Sequence, residues 1–424
     1  MKADPSASSI NFSRMGAAIQ PPVIVDLMAR ALANPDLLSL AAGFTDNAVL
    51  PREPVADIAR ELCRGVEGDE PLQYGSNQGR QRLRESTCAW LARYPGEREE
   101  AFCPERVAIT NGSQQALYLA VQVLCEPGDI VLVEQPSYFV CLEMFRGLGI
   151  RAVGLPCGPD GAVRIEEIGT ALAELVAAGE RERVKALYLV SYFGNPSSRS
   201  MPEEEKRALA GALREAGFLI PVIEDAAYRE LYFQRPAASP SVFGMGEWAD
   251  FPKLYLGTYT KPFATGLKVG YGHCSDADWL ERMLRLKGHQ DFGTAHFNQC
   301  VVERMLEADR FETLLRPVRR HYAEKAARLD AELEASGLRA RGWSWNRPEG
   351  GLVFWLRGPE ELDLSMDSEF CRRSIDAGVL YVPGDLCFPG KGPRHFARLS
   401  FGALASDRFP EAVKRFSEVA KSFF

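Results

Sequence analysis

From about residue 104 to residue 275, short β-branched and aliphatic runs alternate with longer segments whose apolar positions recur every three or four residues. The short runs 107–110, 129–134, 151–155, 184–190, 218–224, 254–257 and 267–272 read as strands. They are nearly continuously apolar, as strands covered on both faces must be. Between them, 113–124, 140–148, 165–178 and 202–216 carry the helical period, the last opened by Pro202 and a run of acids. This βαβ alternation predicts an α/β protein with a mainly parallel, doubly covered sheet. Beyond about residue 276 the pattern turns mostly helical. The stretch 311–336 reads as one long helix, with Pro317 in its first turns or kinking it. GGLVFWL, AGVLYVP and HFARLSF then read as strands of a smaller sheet, and a helix over 408–423 closes the chain. At the other end, an arm precedes a short helix in PPVIVDLMARAL, where Val23, Leu27 and Ala31 recur at helical spacing. There is no internal repeat, low-complexity tract or Gly/Ser linker, so the two parts are expected to share an interface.

Composition narrows the class. Of 424 residues, 46% are apolar and 25% charged, which excludes a disordered chain, a fibrous protein and a small disulfide scaffold. Lys and Arg number 50 against 57 Asp and Glu, a formal charge of −7, so no global attraction to nucleic acid or anionic membrane is expected. The ten cysteines include no C-x-x-C pair and sit mostly in apolar runs, which reads as buried thiols in a reducing compartment. MKADPSASSINFSRMG lacks a signal-peptide core, and no segment approaches a membrane span of roughly 20 apolar residues. The expectation is a cytoplasmic protein with neither a nucleic-acid nor a membrane partner.

Open α/β sheets bind ligands at the carboxyl ends of their strands, so candidate chemistry is expected there. After the first strand comes Asn111-Gly112-Ser113-Gln114-Gln115. Gly112 permits a tight turn, and Ser113 and Gln114 open a helix whose N–H groups could cradle an anion, though a Gly-Ser cap is equally plain punctuation. VKALYLV runs into Asn195-Pro196, by itself a turn signal. FLIPVIED ends in Glu224-Asp225, an acid that is either solvated or aimed into a cleft. KLYLG runs into Thr258-Tyr259-Thr260-Lys261. A lysine there is a surface residue or, if desolvated, an amine nucleophile able to form a Schiff base. Arg398 lies between apolar neighbours in HFARLSF, where a buried guanidinium needs an anionic partner.

Each signal is weak alone, but their order is specific. NGSQQAL, then Tyr138 in QPSY, Asn195-Pro196, EDAAYREL with Asp225 and Tyr228, the Lys261 segment and Arg398 follow in series. Thirty residues separate Asn195 from Asp225, and thirty-six separate Asp225 from Lys261. In this the chain resembles the fold-type I pyridoxal-phosphate (PLP) aminotransferases over roughly residues 20–422. Within these it resembles the aminoadipate and kynurenine aminotransferase branch, and it is also similar to the effector domain of MocR-type regulators. The resemblance implies a large domain around a mainly parallel seven-stranded sheet and a small α+β domain. On this basis residues 1–50 form the arm and part of the small domain, 51–300 the PLP-binding domain and 301–424 the rest of the small domain. It further implies that Lys261 holds PLP as a Schiff base and moves the substrate proton. Asp225 pairs with the pyridine nitrogen, and Tyr228 and Asn195 meet the 3-hydroxyl oxygen. Tyr138 stacks on the ring. Ser113, Gln114, Thr258, Thr260 and Lys268 surround the phosphate, joined by Tyr74 from the neighbouring subunit of a homodimer with shared active sites. Arg398, with Gly43 and Asn195 nearby, holds the substrate carboxylate.

Three departures from the family pattern stand out. Thr258-x-Thr260 replaces the usual Ser-x-Ser, Lys268 stands where an arginine is usual, and Asn195-Pro196-Ser197-Ser198 replaces Asn-Pro-Thr-Gly. The implied activity is amino transfer between an L-amino acid and a 2-oxo acid. The same residues also serve PLP-dependent lyases, racemases and oxidases, which remain the alternative. A PLP-sensing regulator is not expected, since only about 20 residues precede the resemblance. Two features have no assigned role: Arg14, which could meet a second carboxylate, and the aromatic and histidine-bearing segment 287–297. Interface or surface packing is the plain reading of both.

Overall fold

A computed structural model of the chain describes residues 10–19, 23, 36–65 and 70–424. The helix expected in PPVIVDLMARAL falls, apart from Val23, outside the described residues. The strands are β1 (Leu38–Ser39), β2 (Val107–Asn111), β3 (Ile130–Val133), β4 (Arg151–Gly154), β5 (Val184–Val190), β6 (Val222–Asp225) and β7 (Lys253–Thr258). They continue as β8 (Val269–Cys274), β9 (Ser344–Trp345), β10 (Val353–Arg357), β11 (Val379–Leu380), β12 (Val382–Pro383) and β13 (Phe396–Ser400).

Alternation along the strands divides the core in two. Ile130 and Leu132 of β3, with Leu187 and Leu189 of β5, enter one apolar cluster. Their neighbours Val131 and Val133, with Tyr188 and Val190, enter another on the opposite face. Helices therefore cover both faces: Gly112–Leu124 and Ala277–Gln290 on one, Ile165–Ala177 and Glu203–Glu215 on the other. The result is a seven-stranded sheet of order β2-β8-β7-β6-β5-β3-β4. The pairs β3–β4, β3–β5, β5–β6 and β6–β7 are parallel, and β8 is antiparallel to both β7 and β2. Only β8 is reversed, so β2, β5, β6 and β7 all end on one edge, at Asn111, Val190, Asp225 and Thr258. The mainly parallel seven-stranded sheet expected from the sequence is thus present.

A second, antiparallel sheet of order β12-β13-β10-β9 lies in the C-terminal part. Helices Arg310–Ala335, Glu369–Asp376 and Phe409–Lys421 share one apolar cluster with it. Strand β1 pairs in parallel with β11, and the Ser400 N–H donates to the Leu40 carbonyl at 2.5 Å. The N-terminal segment is therefore stitched to this sheet.

Some boundaries differ from the sequence reading. The strand expected over 218–224 narrows to Val222–Asp225, because Pro221 has no N–H to give a ladder. The strand expected over 267–272 shifts to Val269–Cys274, because Lys268 takes a left-handed φ of 56°. AGVLYVP is two strands, β11 pairing with β1 and β12 with β13. Pro317 lies inside helix Arg310–Ala335. Two further helices, Arg52–Cys63 and Gln81–Leu91, lie between the N-terminal segment and β2.

One buried ion pair anchors the loop that follows β6. Arg229 and Glu97 are both fully buried side chains in contact at 2.6 Å. The guanidinium carbon lies 4.2 Å and 4.3 Å from the ring centres of Tyr94 and Tyr192. Glu97 also accepts from the Ser241 N–H at 2.7 Å and its hydroxyl at 2.8 Å. Breaking such a pair leaves an uncompensated buried cation. Glu97→Ala should therefore destabilise the protein by about 3–5 kcal/mol, seen as a lower urea midpoint. A midpoint equal to the parent's would show that Arg229 finds another partner.

Candidate active site

The strand ends on the common edge converge on one pocket. At the end of β2 the chain turns through Gly112, with φ at 67°, into helix Gly112–Leu124. Gly270 of β8 packs beneath this turn. A Cβ there would lie 2.4 Å from the Gly112 carbonyl carbon and 2.6 Å from the Ser113 nitrogen, so only glycine fits. The first helical turn carries no acid, and its N–H groups form the positive end of the helix. Ser113, Gln114, Thr258, Thr260 and Lys268 line the pocket around this end. Both threonine hydroxyls donate to the Val269 carbonyl, at 3.3 Å and 3.4 Å, and the Thr258 oxygen also accepts from the Thr260 N–H at 3.0 Å. Hydroxyls, helix N–H groups and one ammonium make a site suited to an anion.

Deeper in the pocket lie Asp225, Tyr228, Asn195 and Tyr138. Asp225 accepts from the Tyr188 hydroxyl at 2.8 Å and from the Ala227 N–H at 3.0 Å. Among the described residues it has no ion-pair partner. Burial pushes its carboxyl above the usual range, and the two hydrogen bonds work against that shift. Burial raises the Tyr228 phenol as well, opposed by Arg398 and by a hydrogen bond with Asn195.

Lys261 faces this acid from the end of β7. Its amine lies 6.0 Å from the Tyr228 ring centre and donates to the Gly43 carbonyl at 2.6 Å. Burial, then the nearby Arg398 charge, bring it down to about 8. Arg398 itself is 1% exposed. It donates to the Asn195 Oδ1 at 3.1 Å and to the Ala41 carbonyl at 2.5 Å, while its Nε has no partner. Among the described residues no carboxylate pairs with it, and burial lowers its pKa.

Of the thirteen residues singled out from the sequence, ten line this pocket, and Arg398 and Gly43 join it through Asn195 and Lys261. Tyr74 does not. It is 83% exposed, and its ring meets Phe292 edge-on at 6.2 Å. Sequence reasoning missed Asn111 and Ala227 on the pocket wall, and Tyr188 behind Asp225. Tyr188 sits in an apolar run buried on both faces, so alternation gave it no mark. Of the two features left without a role, Arg14 lies in the exposed helix Arg14–Ala18. Segment 287–297 packs through Asp291, which accepts from Lys287, Asn111 and Gln115. A roomier groove of about 960 Å³ between Ile165–Ala177 and Glu203–Glu215 is walled mainly by Ala, Gly and Leu, and gathers no such set of polar groups.

An anion-binding helix end, a buried carboxylate without a cation and a desolvated lysine at strand ends define an enzyme of carbonyl–amine chemistry. The family described as Aminotransferase class I and II matches residues 35–416, and the chain belongs to that family. It is 32% identical to a 2-aminoadipate transaminase of Thermus thermophilus over 98% of both chains. An α-aminoadipate aminotransferase from the same organism, solved with N-(5′-phosphopyridoxyl)-L-leucine, matches with a TM-score of 0.81 at 31% identity over 97% of each chain. A Pyrococcus horikoshii kynurenine aminotransferase structure matches with a TM-score of 0.86 at 28% identity, again over 97% of each. The protein is a PLP-dependent aminotransferase, exchanging an amino group between amino acids and 2-oxo acids. The residues present fit that cofactor. Among the described residues Asp225 has no cationic partner, which a protonated pyridine nitrogen would supply, and a phosphate would suit the helix end, the hydroxyls and Lys268.

The depressed amine has a kinetic signature. Only a neutral lysine attacks an aldehyde, and an ordinary lysine is mostly protonated until about pH 10.4. Recombination of the apoprotein with PLP, followed by absorbance, should accelerate with pH and level off above about 8. A rate still climbing tenfold per pH unit at pH 9.5 would show that Lys261 is not desolvated.

Proposed function

We propose that the pocket binds PLP and an α-amino acid side by side, with Lys261 as the covalent anchor and proton carrier. The observation that carries this reading is that three buried charged groups, Asp225, Lys261 and Arg398, gather at one site with no ion pair among them. The cofactor, when bound, supplies an electron sink that stabilises negative charge at the substrate Cα. Asp225 holds the positive charge on its ring nitrogen. Asn195 and Tyr228 hold its 3-hydroxyl oxygen, and Tyr138 covers one ring face. Ser113, Gln114, Thr258, Thr260 and Lys268 hold the phosphate. Arg398 fixes the α-carboxylate through a two-point fork, with Asn195 and the Gly43 backbone beside it. That orientation leaves the Cα–H bond facing Lys261. An amine near 8 can take that proton and return it at neutral pH.

The remaining assignments are of the same kind. Tyr74 and Phe292 are exposed aromatics, and a homodimer in which Tyr74 reaches the partner's phosphate accounts for both. The division at about residues 50 and 300 gives the arm, the cofactor domain and the small domain. None of the ten cysteines is in a disulfide, which supports a cytoplasmic setting.

Three experiments test this reading. Borohydride reduction of the holoenzyme should fix the cofactor to a single peptide containing Lys261, and Lys261→Ala should abolish the labelling; label on a Lys268 peptide overturns the assignment. A panel that includes 2-aminoadipate, kynurenine and the aromatic amino acids, read by oxo-acid formation, then identifies the substrate. Lys268→Met should weaken PLP retention by roughly 1.5–3 kcal/mol, as for a lost charged hydrogen bond. Retention equal to the parent's on dialysis would remove Lys268 from the phosphate site.

A further inference from the structure

The strand that carries no pocket residue before Val190 nevertheless sends one polar group toward the site. In the β5–β6 ladder Tyr188 stands opposite Ile223, and Val190 opposite Asp225. Positions two apart share a face, so Tyr188 and Asp225 project to the same side of the sheet. The Tyr188 ring is fully buried, held edge-on by Phe145 at 6.3 Å. Its hydroxyl donates to the Asp225 Oδ2 at 2.8 Å. The other donor to this carboxylate is a backbone N–H, that of Ala227, which reaches Oδ1. Tyr188 is thus the side chain that fixes one oxygen of Asp225 while the carboxylate lines the pocket.

We propose that Tyr188 is a positioning residue for the reaction, whose hydroxyl keeps the Asp225 carboxylate anionic and aimed at the ring nitrogen of the bound cofactor. The inference rests on the reading of Asp225 as the partner of that nitrogen. The physical argument is a competition for one proton. A carboxylate and a pyridine nitrogen share it, and its position follows their relative basicity. A hydrogen bond donated to the carboxylate stabilises the charged form and lowers its basicity, so the proton resides on the ring. Without that bond the buried carboxylate is the better base, the proton moves to Asp225, and the ring becomes neutral. A neutral ring is a poor electron sink. The Tyr188 phenol is itself pushed well above its usual range by burial and by Asp225, so it remains a donor throughout the working pH range. Tyr188 touches neither substrate nor cofactor in this account; it acts through Asp225.

The test uses the holoenzyme loaded with PLP labelled with ¹⁵N in the ring. Tyr188→Phe keeps the ring packed on Phe145 and removes only the hydroxyl; Asp225→Asn is the comparator. In the parent, the nitrogen resonance should report a protonated ring. In Tyr188→Phe it should move toward the neutral position, and the single-turnover rate of amino-acid deamination should fall roughly tenfold or more, the loss expected for one hydrogen bond to a charge. Amino-acid affinity should stay within about twofold, since Arg398 is untouched. A parent-like resonance and rate in Tyr188→Phe, with both lost in Asp225→Asn, would overturn the inference and leave the Asp225 reading intact. An unchanged resonance in Asp225→Asn would overturn both. Should Tyr188→Phe fail to fold, 4-aminophenylalanine at position 188, a weaker donor of similar shape, should move the resonance toward the neutral position; an unmoved resonance overturns the inference.

Discussion

The structure depends on keeping three buried ionisable groups apart from any counter-charge of the chain's own. Asp225, Arg398 and Lys261 all serve one pocket, and none forms an ion pair with the others. A buried charge without a partner costs several kcal/mol, and folding would ordinarily remove it by pairing or neutralisation. Here each is held instead by neutral dipoles. Asp225 takes a phenol and a backbone N–H, Arg398 an amide oxygen and a carbonyl, and Lys261 a carbonyl. These satisfy geometry without cancelling charge. The pocket is left complementary to a molecule carrying a cation at one point and anions at two others.

The scaffold around these groups is rigid where they are fixed. The loop from Asp225 to Glu230 is pinned by Arg229, whose guanidinium is sandwiched between two tyrosines and bonded to Glu97. Glu224, one residue before Asp225, accepts from the buried Lys206 amine and from the Val242 N–H. Buried ion pairs, Lys206–Glu224 and Arg229–Glu97, thus flank Asp225 on both sides in sequence. The contrast is physically sensible. A buried ion pair hydrogen-bonded on several sides resists local opening, and its rigidity holds a neighbouring group that has no such partner.

Much of this was legible in the sequence because strand ends carry the chemistry. Val184–Val190 fell where expected, and Asn195, Asp225 and Lys261 lay just past apolar runs, where a parallel sheet must present its carboxyl edge. What was not legible has physical causes. Tyr188 belongs to a strand buried on both faces, so no period separates a packing residue from one that bonds Asp225. Tyr74, expected from the sequence to reach a second subunit, is in a single chain an exposed ring. AGVLYVP reads as one strand, yet Tyr381 breaks it: its hydroxyl bonds the Leu364 carbonyl, and its ring packs against Phe370 and Phe416. Local pattern carries period and polarity. It does not carry which strand a segment will choose.

The segment from Leu38 to Asp46 shows how such long-range choices bear on the site. Its strand β1 pairs with β11, Leu40 accepts from Ser400, and Ala41 accepts from Arg398. Further on, Asp46 takes the Lys325 amine at 2.5 Å and His321 at 2.9 Å. All of these partners lie in the C-terminal third. Toward the large sheet it takes, among the described residues, one hydrogen bond, from the Lys261 amine to the Gly43 carbonyl. The segment is therefore bound to the side that carries Arg398, and only lightly to the side that carries Lys261. Any movement of the C-terminal sheet relative to the large one would carry Gly43 and Arg398 together. A substrate carboxylate held by both would then be brought toward the lysine as a unit, with its own geometry undisturbed.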